Sequence, residues 1–351
     1  MATATARRAA APSLAAALRA SSSCAAPATH TLAHEAVAAG DASSAPPTRV
    51  LILHGLLGCA RNWRTLARAL ATRASAAAGG ARVEVAAVDL RCHGASATSP
   101  RAPPPPHTVA AAAADVNAFA TAAFGGPPDA LVGHSLGGKV ALEAARQALL
   151  ACDPLPRQLW VLDSPLSARR HGARSPTAAP ESASAVLAAL ASVRSPPPER
   201  AAAGAALRGA GLTAPVAAWL ASQLVPAPGG LAWGFDLDGA NALLASYAST
   251  DAWPLLRHPP PGLALRVVVG GASDRWSAAE RERLAEAQAG SAAAAAAVAL
   301  SAGGAPPGSL DVHVLEKAGH WVHSDDPEGL LGLLVPRVAA LAAERGSGRG
   351  A

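Results

Sequence analysis

Residues 133 to 137 read Gly-His-Ser-Leu-Gly, a serine between two glycines where the apolar run "DALVGH" gives way to the helical spacing of "LGGKVALEAARQALL". A G-x-S-x-G pentapeptide with a strand before it and a helix after it presents its serine on a sharp turn. The glycines are required because any side chain flanking such a strained turn would clash. The helix begins at once, so its first amides and its dipole face the hydroxyl of Ser135. A serine hydroxyl is a weak nucleophile near neutral pH and needs an adjacent base. His320 in "KAGHWVHSDDPEGL" is the candidate, because it follows a strand-like run and sits in a loop flanked by glycine. His323 competes with it, but its spacing places it away from the loop apex and gives it a surface or supporting role. His134 and His313 read as a neighbour of the serine and a strand position. Attack on a carbonyl also needs two donors for the oxyanion. The amide of Leu136 is one; Leu56 in "HGLLG" (54 to 58) is the other, with Leu57 the alternative and His54 organising the loop.

These groups need a scaffold that brings several loops to one edge. "TRVLILHGLLG" (48 to 58), "ARVEVAAVDL" (81 to 90), "DALVGHS" (129 to 135) and "RQLWVLDSP" (157 to 165) read as short buried strands. Helical spacing separates them, around Trp63, Leu66 and Leu70 and again from Val109 to Phe124. Strands alternating with helices predict a parallel sheet covered on both faces. The rhythm breaks over 166 to 250, where helix-like segments carry Trp219 and Trp233 without a convincing strand. It returns in "LALRVVVGGASDRW" (263 to 276) and "LDVHVLEKAGHWVH" (310 to 323). The expected fold class is therefore α/β: a mostly parallel central sheet flanked by helices, its core formed by 31–165 and 251–345. A helical cap over 166–250 is inserted late in the sheet. The alanine- and glycine-rich stretch 290–308 reads as a low-complexity loop within the core.

The chain has 351 residues and a net charge of +5, with aromatics at 3%. Its length allows one large α/β domain. The basic residues are scattered and form no stripe interleaved with aromatics, which argues against nucleic acid as a partner. The four cysteines, Cys24, Cys59, Cys92 and Cys152, have neither disulfide-framework nor zinc-motif spacing. No segment reads as a transmembrane span. The first acidic residue is Glu35, and an acid-free basic start is the composition of an organelle-targeting segment. Residues 1–30 are therefore expected to be a transit peptide for a chloroplast or mitochondrion.

Four segments in order, "LILHGLLGCARNW", "VDLRCHGAS", "VGHSLGGKVA" and "AGHWVHSDDPEGL", resemble the α/β-hydrolase superfamily. More narrowly, "HGLLG…NW", "GHSLGGK" and "GHWVH" resemble the alpha/beta-hydrolase domain-containing protein eleven type, and "QLWVLDS", "FDLDGA" and "SDRW" its plant and algal branch. The resemblance spans roughly residues 30 to 340. It implies an ester or thioester hydrolase with a Ser-His-Asp triad. The usual superfamily position for the acid, in the loop after the penultimate strand, corresponds to Asp274. The narrower type points to the end of an earlier strand, here Asp163. Asp238 is a third carboxylate, read as a helix cap. Asp89, Arg91 and His93 resemble a loop that braces the site, and Trp63 and Lys139 read as packing and surface residues. Trp321, beside the base, is placed to line the cleft.

Together these readings predict two-step acyl transfer on a small or medium ester or thioester, with no metal or organic cofactor. Acyltransfer or C–C bond hydrolysis on the same fold, and a ligand receptor without turnover, are the alternatives.

Overall fold

A computed structural model describes residues 31–42, 46–168, 182–193, 199–299 and 307–347. The expected leader over 1–30 lies outside them. Seven strands form one sheet: β1 (His34–Ala39), β2 (Thr48–Leu53), β3 (Val83–Val88), β4 (Ala130–His134), β5 (Gln158–Leu162), β8 (Ala264–Gly270) and β9 (Ser309–Leu315). Their spatial order is β1-β3-β2-β4-β5-β8-β9. Only β1 runs antiparallel, pairing with β3; every other pairing is parallel. The C-terminal ends of β2 to β5, β8 and β9 therefore share one edge, and the loops leaving that edge carry every candidate site residue.

The central strands are buried on both faces, and the pleat divides them between two cores. Leu51 and Leu53 of β2 face a cluster built with α3 (Val109–Phe124) and α4 (Leu136–Ala151). Val50 and Ile52 face the other cluster, built with α1 (Arg64–Ala77) and α12 (Pro327–Ser347). This period-two division is why these runs read as nearly continuous apolar segments. Trp63, Trp160 and Trp253 are fully buried and supply much of the volume that the many alanines cannot. The short α2 (Gly94–Thr98) follows β3. The ends of α3 carry ordinary stop signals: Thr108 accepts the Ala111 N–H at 3.1 Å, and Gly125 closes the helix with φ 75°.

Between β5 and β8 lie α5 (Ala183–Ser192), α6 (Arg200–Gly209), α7 (Ala214–Ser222), α8 (Leu237–Ser249) and the short α9 (Trp253–Arg257). Val186, Leu190, Leu207 and Leu220 are buried among these helices, whereas Leu243 of α8 joins the sheet core. Two features differ from expectation here. The inserted region contains a hairpin, β6 (Leu224–Ala227) with β7 (Gly230–Trp233), turning at Gly229 and Gly230 with φ 86° and 144°. The stretch expected as a loop from residue 290 is helical as far as residue 299, because α10 spans Ala278–Ala299. Alanine has the highest intrinsic helix propensity, so a low-complexity alanine run at the end of a helix extends it. The remaining helix is α11 (Val322–Asp325), directly after His320. No described helix is long and apolar enough to cross a membrane.

Candidate active site

Ser135 sits between β4 and α4 with φ 52° and ψ −116°, a conformation that non-glycine residues rarely adopt. A Cβ on Gly133 would overlap the Gly137 carbonyl, and one on Gly137 would overlap the Leu53 carbonyl. Both glycines are thus dictated by close approach of backbone. A non-glycine residue strained in this way, at the mouth of a cleft, points to function. Ser135 and His320 line the same cavity of about 700 Å³ beneath the inserted helices. Leu56, Leu136 and Trp321 line it from the sheet side, with Val216, Trp219 and Leu244 opposite.

His320 Nδ1 lies 2.7 Å from Oδ2 of Asp163. The acceptor is a carboxylate, so Nδ1 carries the proton and Nε2 is left to accept one. Asp163 is fully buried at the end of β5, with φ 41°. Its Oδ1 also accepts from the Gly270 N–H at 2.9 Å and the Trp276 indole at 2.8 Å, and its Oδ2 from the Ser273 hydroxyl at 2.6 Å. Four donors, two on each oxygen, compensate the burial of this carboxylate.

The expectation for Asp274 is corrected by this arrangement. Its side chain is 61% exposed and pairs with Arg275 at 3.2 Å, outside the network around His320. The loop after β8 contributes Ser273 and Trp276 as donors to Asp163 instead of an acid of its own. Asp238 is exposed in the first turn of α8; the cap of that helix is Asp236, whose Oδ1 accepts the Asp238 N–H at 3.1 Å.

The loop after β2 is held by two buried histidines, each using one nitrogen as donor and the other as acceptor. His54 Nδ1 donates to the Gly55 carbonyl at 2.7 Å, and Nε2 accepts the Leu90 N–H at 3.0 Å. His93 Nδ1 donates to the Arg91 carbonyl at 2.8 Å, and Nε2 accepts the Leu57 N–H at 2.9 Å. Protonating either ring would cost it an acceptor inside the core. Burial depresses His54 to about 4 and His93 to about 3. Leu57 gives its N–H to His93, whereas the N–H groups of Gly55 and Leu56 have no acceptor among the described residues. At the start of α4, the Leu136 N–H belongs to the first turn, whose donors lack helical partners.

Other residues take roles that the sequence did not show. His134 donates from Nε2 to the His320 carbonyl at 2.8 Å and so fixes the backbone of that loop. His323 is half-buried, not at the surface: its ring stacks on Trp63 at 4.1 Å between centroids, and desolvation lowers it to about 4. Lys139 is also buried. Its Nζ donates to the carbonyls of Ser167 (3.0 Å), Tyr247 (2.9 Å) and Thr250 (2.7 Å). Tyr247 and Thr250 end α8, where carbonyls lack helical partners and a cation is favoured. Asp89 accepts from Ala60 N–H at 2.7 Å and Ala95 N–H at 2.8 Å, and Arg91 grips Asp115 through two bonds of 2.7 and 2.9 Å. Both brace the loops around the site.

A search of curated protein sequences finds no significant match. Among solved structures, the chain is similar to an esterase from a marine microorganism (18% identity, 87% of this chain and 99% of that one, TM-score 0.58). It is also similar to the peroxisomal alpha-beta-hydrolase Lpx1 of Saccharomyces cerevisiae (15% identity, 90% of each chain, TM-score 0.59). A thioesterase domain from the curacin biosynthetic pathway is a third (20% identity, 86% and 95% covered, TM-score 0.51). At these identities the likeness is one of fold. The model of the alpha/beta hydrolase family matches residues 50–333, and the chain belongs to that family.

Proposed function

We propose that the protein is a serine hydrolase that cleaves carboxylic esters or thioesters through an acyl-enzyme. The observation that carries this reading is the 2.7 Å bond from His320 Nδ1 to the buried Asp163, beside a strained serine on the same cavity. In this reading His320 Nε2 takes the Ser135 proton as the oxygen attacks the carbonyl carbon. The amides of Leu136 and Leu56 hold the oxyanion, and Asp163 orients the imidazole and stabilises its charged form. The imidazolium then returns the proton to the departing alcohol or thiol. Water attacks the acyl-enzyme by the same steps, and Ser135 is regenerated.

The cavity supports an acyl group of small or medium size, since Leu56, Val216, Trp219, Leu244 and Trp321 give it a largely apolar wall. The narrower likeness to the domain-containing protein eleven type belongs to this proposal, as does organelle import directed by residues 1–30. Labelling with a fluorophosphonate probe tests the mechanism. Wild type labels, whereas Ser135→Ala and His320→Ala do not. A folded wild type that resists the probe overturns the hydrolase reading in favour of a ligand receptor.

A further inference from the structure

Cys92, His107 and Asp236 each offer one ligand atom, and all of these lie within 4.8 Å of one another. They belong to three separate segments: the loop after β3, the residue before the cap of α3, and the N-cap of α8. None contributes to the proposed chemistry at Ser135.

Each residue carries a mark that packing alone does not explain. Cys92 is buried with φ 66°, a left-handed conformation that glycine or asparagine would occupy at lower cost. The Nδ1 of His107 is buried and has no hydrogen-bond partner among the described residues. Its Nε2 faces Asp236 Oδ2 across 4.0 Å, too far for a hydrogen bond. Asp236 uses Oδ1 to cap α8 and keeps Oδ2 on the side of the cluster. Gly239 completes the cradle, because a Cβ there would overlap both Cys92 Sγ and Asp236 Oδ2. Nearby Arg91 is already paired with Asp115, so its charge is matched.

We propose that Cys92, His107 and Asp236 bind a divalent transition-metal ion of the zinc class. Sulfur, imidazole nitrogen and carboxylate oxygen are the donors that zinc takes at about 2.0–2.3 Å. The half-exposed Asp236 side chain (47%) leaves a fourth position for water. Main-chain pairing already aligns the two sides: Asp236 N–H donates to the Cys92 carbonyl at 2.8 Å, and His93 bridges Phe235. The ion therefore acts as a clasp between the sheet core and the inserted helix α8, apart from the reaction itself.

The test uses the full chain, stripped with a chelator and titrated with Co²⁺ as a spectroscopic stand-in. Wild type takes up one equivalent with a thiolate-to-cobalt charge-transfer band, which Zn²⁺ abolishes by displacement. Cys92→Asn removes the sulfur while suiting the left-handed backbone, so it folds and loses the band. Asp236→Asn retains the helix cap and weakens Co²⁺ binding by more than tenfold, at least the loss seen for outer-shell partners (~10–100-fold). A folded wild type without the charge-transfer band overturns the proposal. So does a Cys92→Asn chain whose band is unchanged, since the thiolate would then come from another cysteine.

Discussion

Exchanging Asp163 for asparagine separates its proposed role from that of any other carboxylate. Four donors converge on this side chain, from Gly270, Ser273, Trp276 and His320. Asparagine keeps one acceptor oxygen and replaces the other by an NH₂ group. Oδ1 faces two donors that cannot rotate away, a backbone amide and an indole, so the oxygen stays there and the NH₂ takes the Oδ2 position. The Ser273 hydroxyl can turn and accept. His320 Nδ1 can accept only by giving up its proton, which forces the tautomer with hydrogen on Nε2. That imidazole presents a donor to Ser135 and cannot act as its base. The equivalent change in a serine-protease triad lowers kcat by ~10⁴ with geometry intact, or about 5 kcal/mol of transition-state stabilisation.

Asp274→Asn is the matched control, because its exposed pairing with Arg275 is worth little. Hydrolysis of a p-nitrophenyl ester, with thermal melts to confirm folding, gives the readout. Asp163→Asn is expected to lose ~10⁴ in kcat, and Asp274→Asn to stay within about twofold of wild type. A folded Asp163→Asn enzyme within tenfold of wild type, with an inactive Asp274→Asn, refutes the tautomer reasoning.

Acid should destabilise the fold through its neutral histidines. His54 and His323 are lowered to about 4, so unfolding takes up protons between that value and the ordinary ~6.5. Their contribution is complete above the unfolded value and declines as pH falls toward the folded one, amounting to about 2 kcal/mol lost per histidine at pH 5. Burial holds His93 and His134 neutral in the same way, so urea midpoints at pH 7 and pH 5 check this with His323→Phe removing only that residue's share of the difference; equal wild-type midpoints contradict it. Lys139→Met leaves three carbonyls without their buried cation and should cost ~3 kcal/mol or more, since each bond to a charged donor is worth ~1.5–3 kcal/mol. A loss below about 0.5 kcal/mol in the same urea assay would show that the ammonium is dispensable. Gly137→Ala drives a methyl into the Leu53 carbonyl and should destabilise by ~1–3 kcal/mol, whereas Gly126→Ala meets nothing and serves as the neutral reference.

What the sequence discloses divides along a physical line. Strands β2 to β5 and β8 are legible because burial on both faces makes them nearly continuous apolar runs, whereas the half-buried β9, "SLDVHVL", shows as an alternation of Leu310, Val312 and Val314 with polar residues. Strand β1, "HEAVAA", is not, since neither of its faces is fully buried and it reads like the chain before it. The turn at Ser135 is legible because backbone crowding dictates Gly133 and Gly137, and such constraints stay local in sequence. The acid partner is not. Asp163 and Asp274 follow the neighbouring strands β5 and β8, so topology delivers both to the same edge. The choice is made by where the donors Ser273 and Trp276 point, and only "SDRW" hints at it, a serine and an indole flanking an aspartate. The cluster at Cys92, His107 and Asp236 is less legible still. Metal-site spacing is recognisable when one short segment supplies a pair of ligands, and here every ligand comes from a different loop. The ion that suits such a set would close the core onto α8. That helix carries Leu244 on the cavity wall and offers its end carbonyls to Lys139, four residues after Ser135. One end of α8 is thus tied to the loop after β3 and the other to α4, so two elements of the sheet core fix the helix that carries this part of the cavity wall.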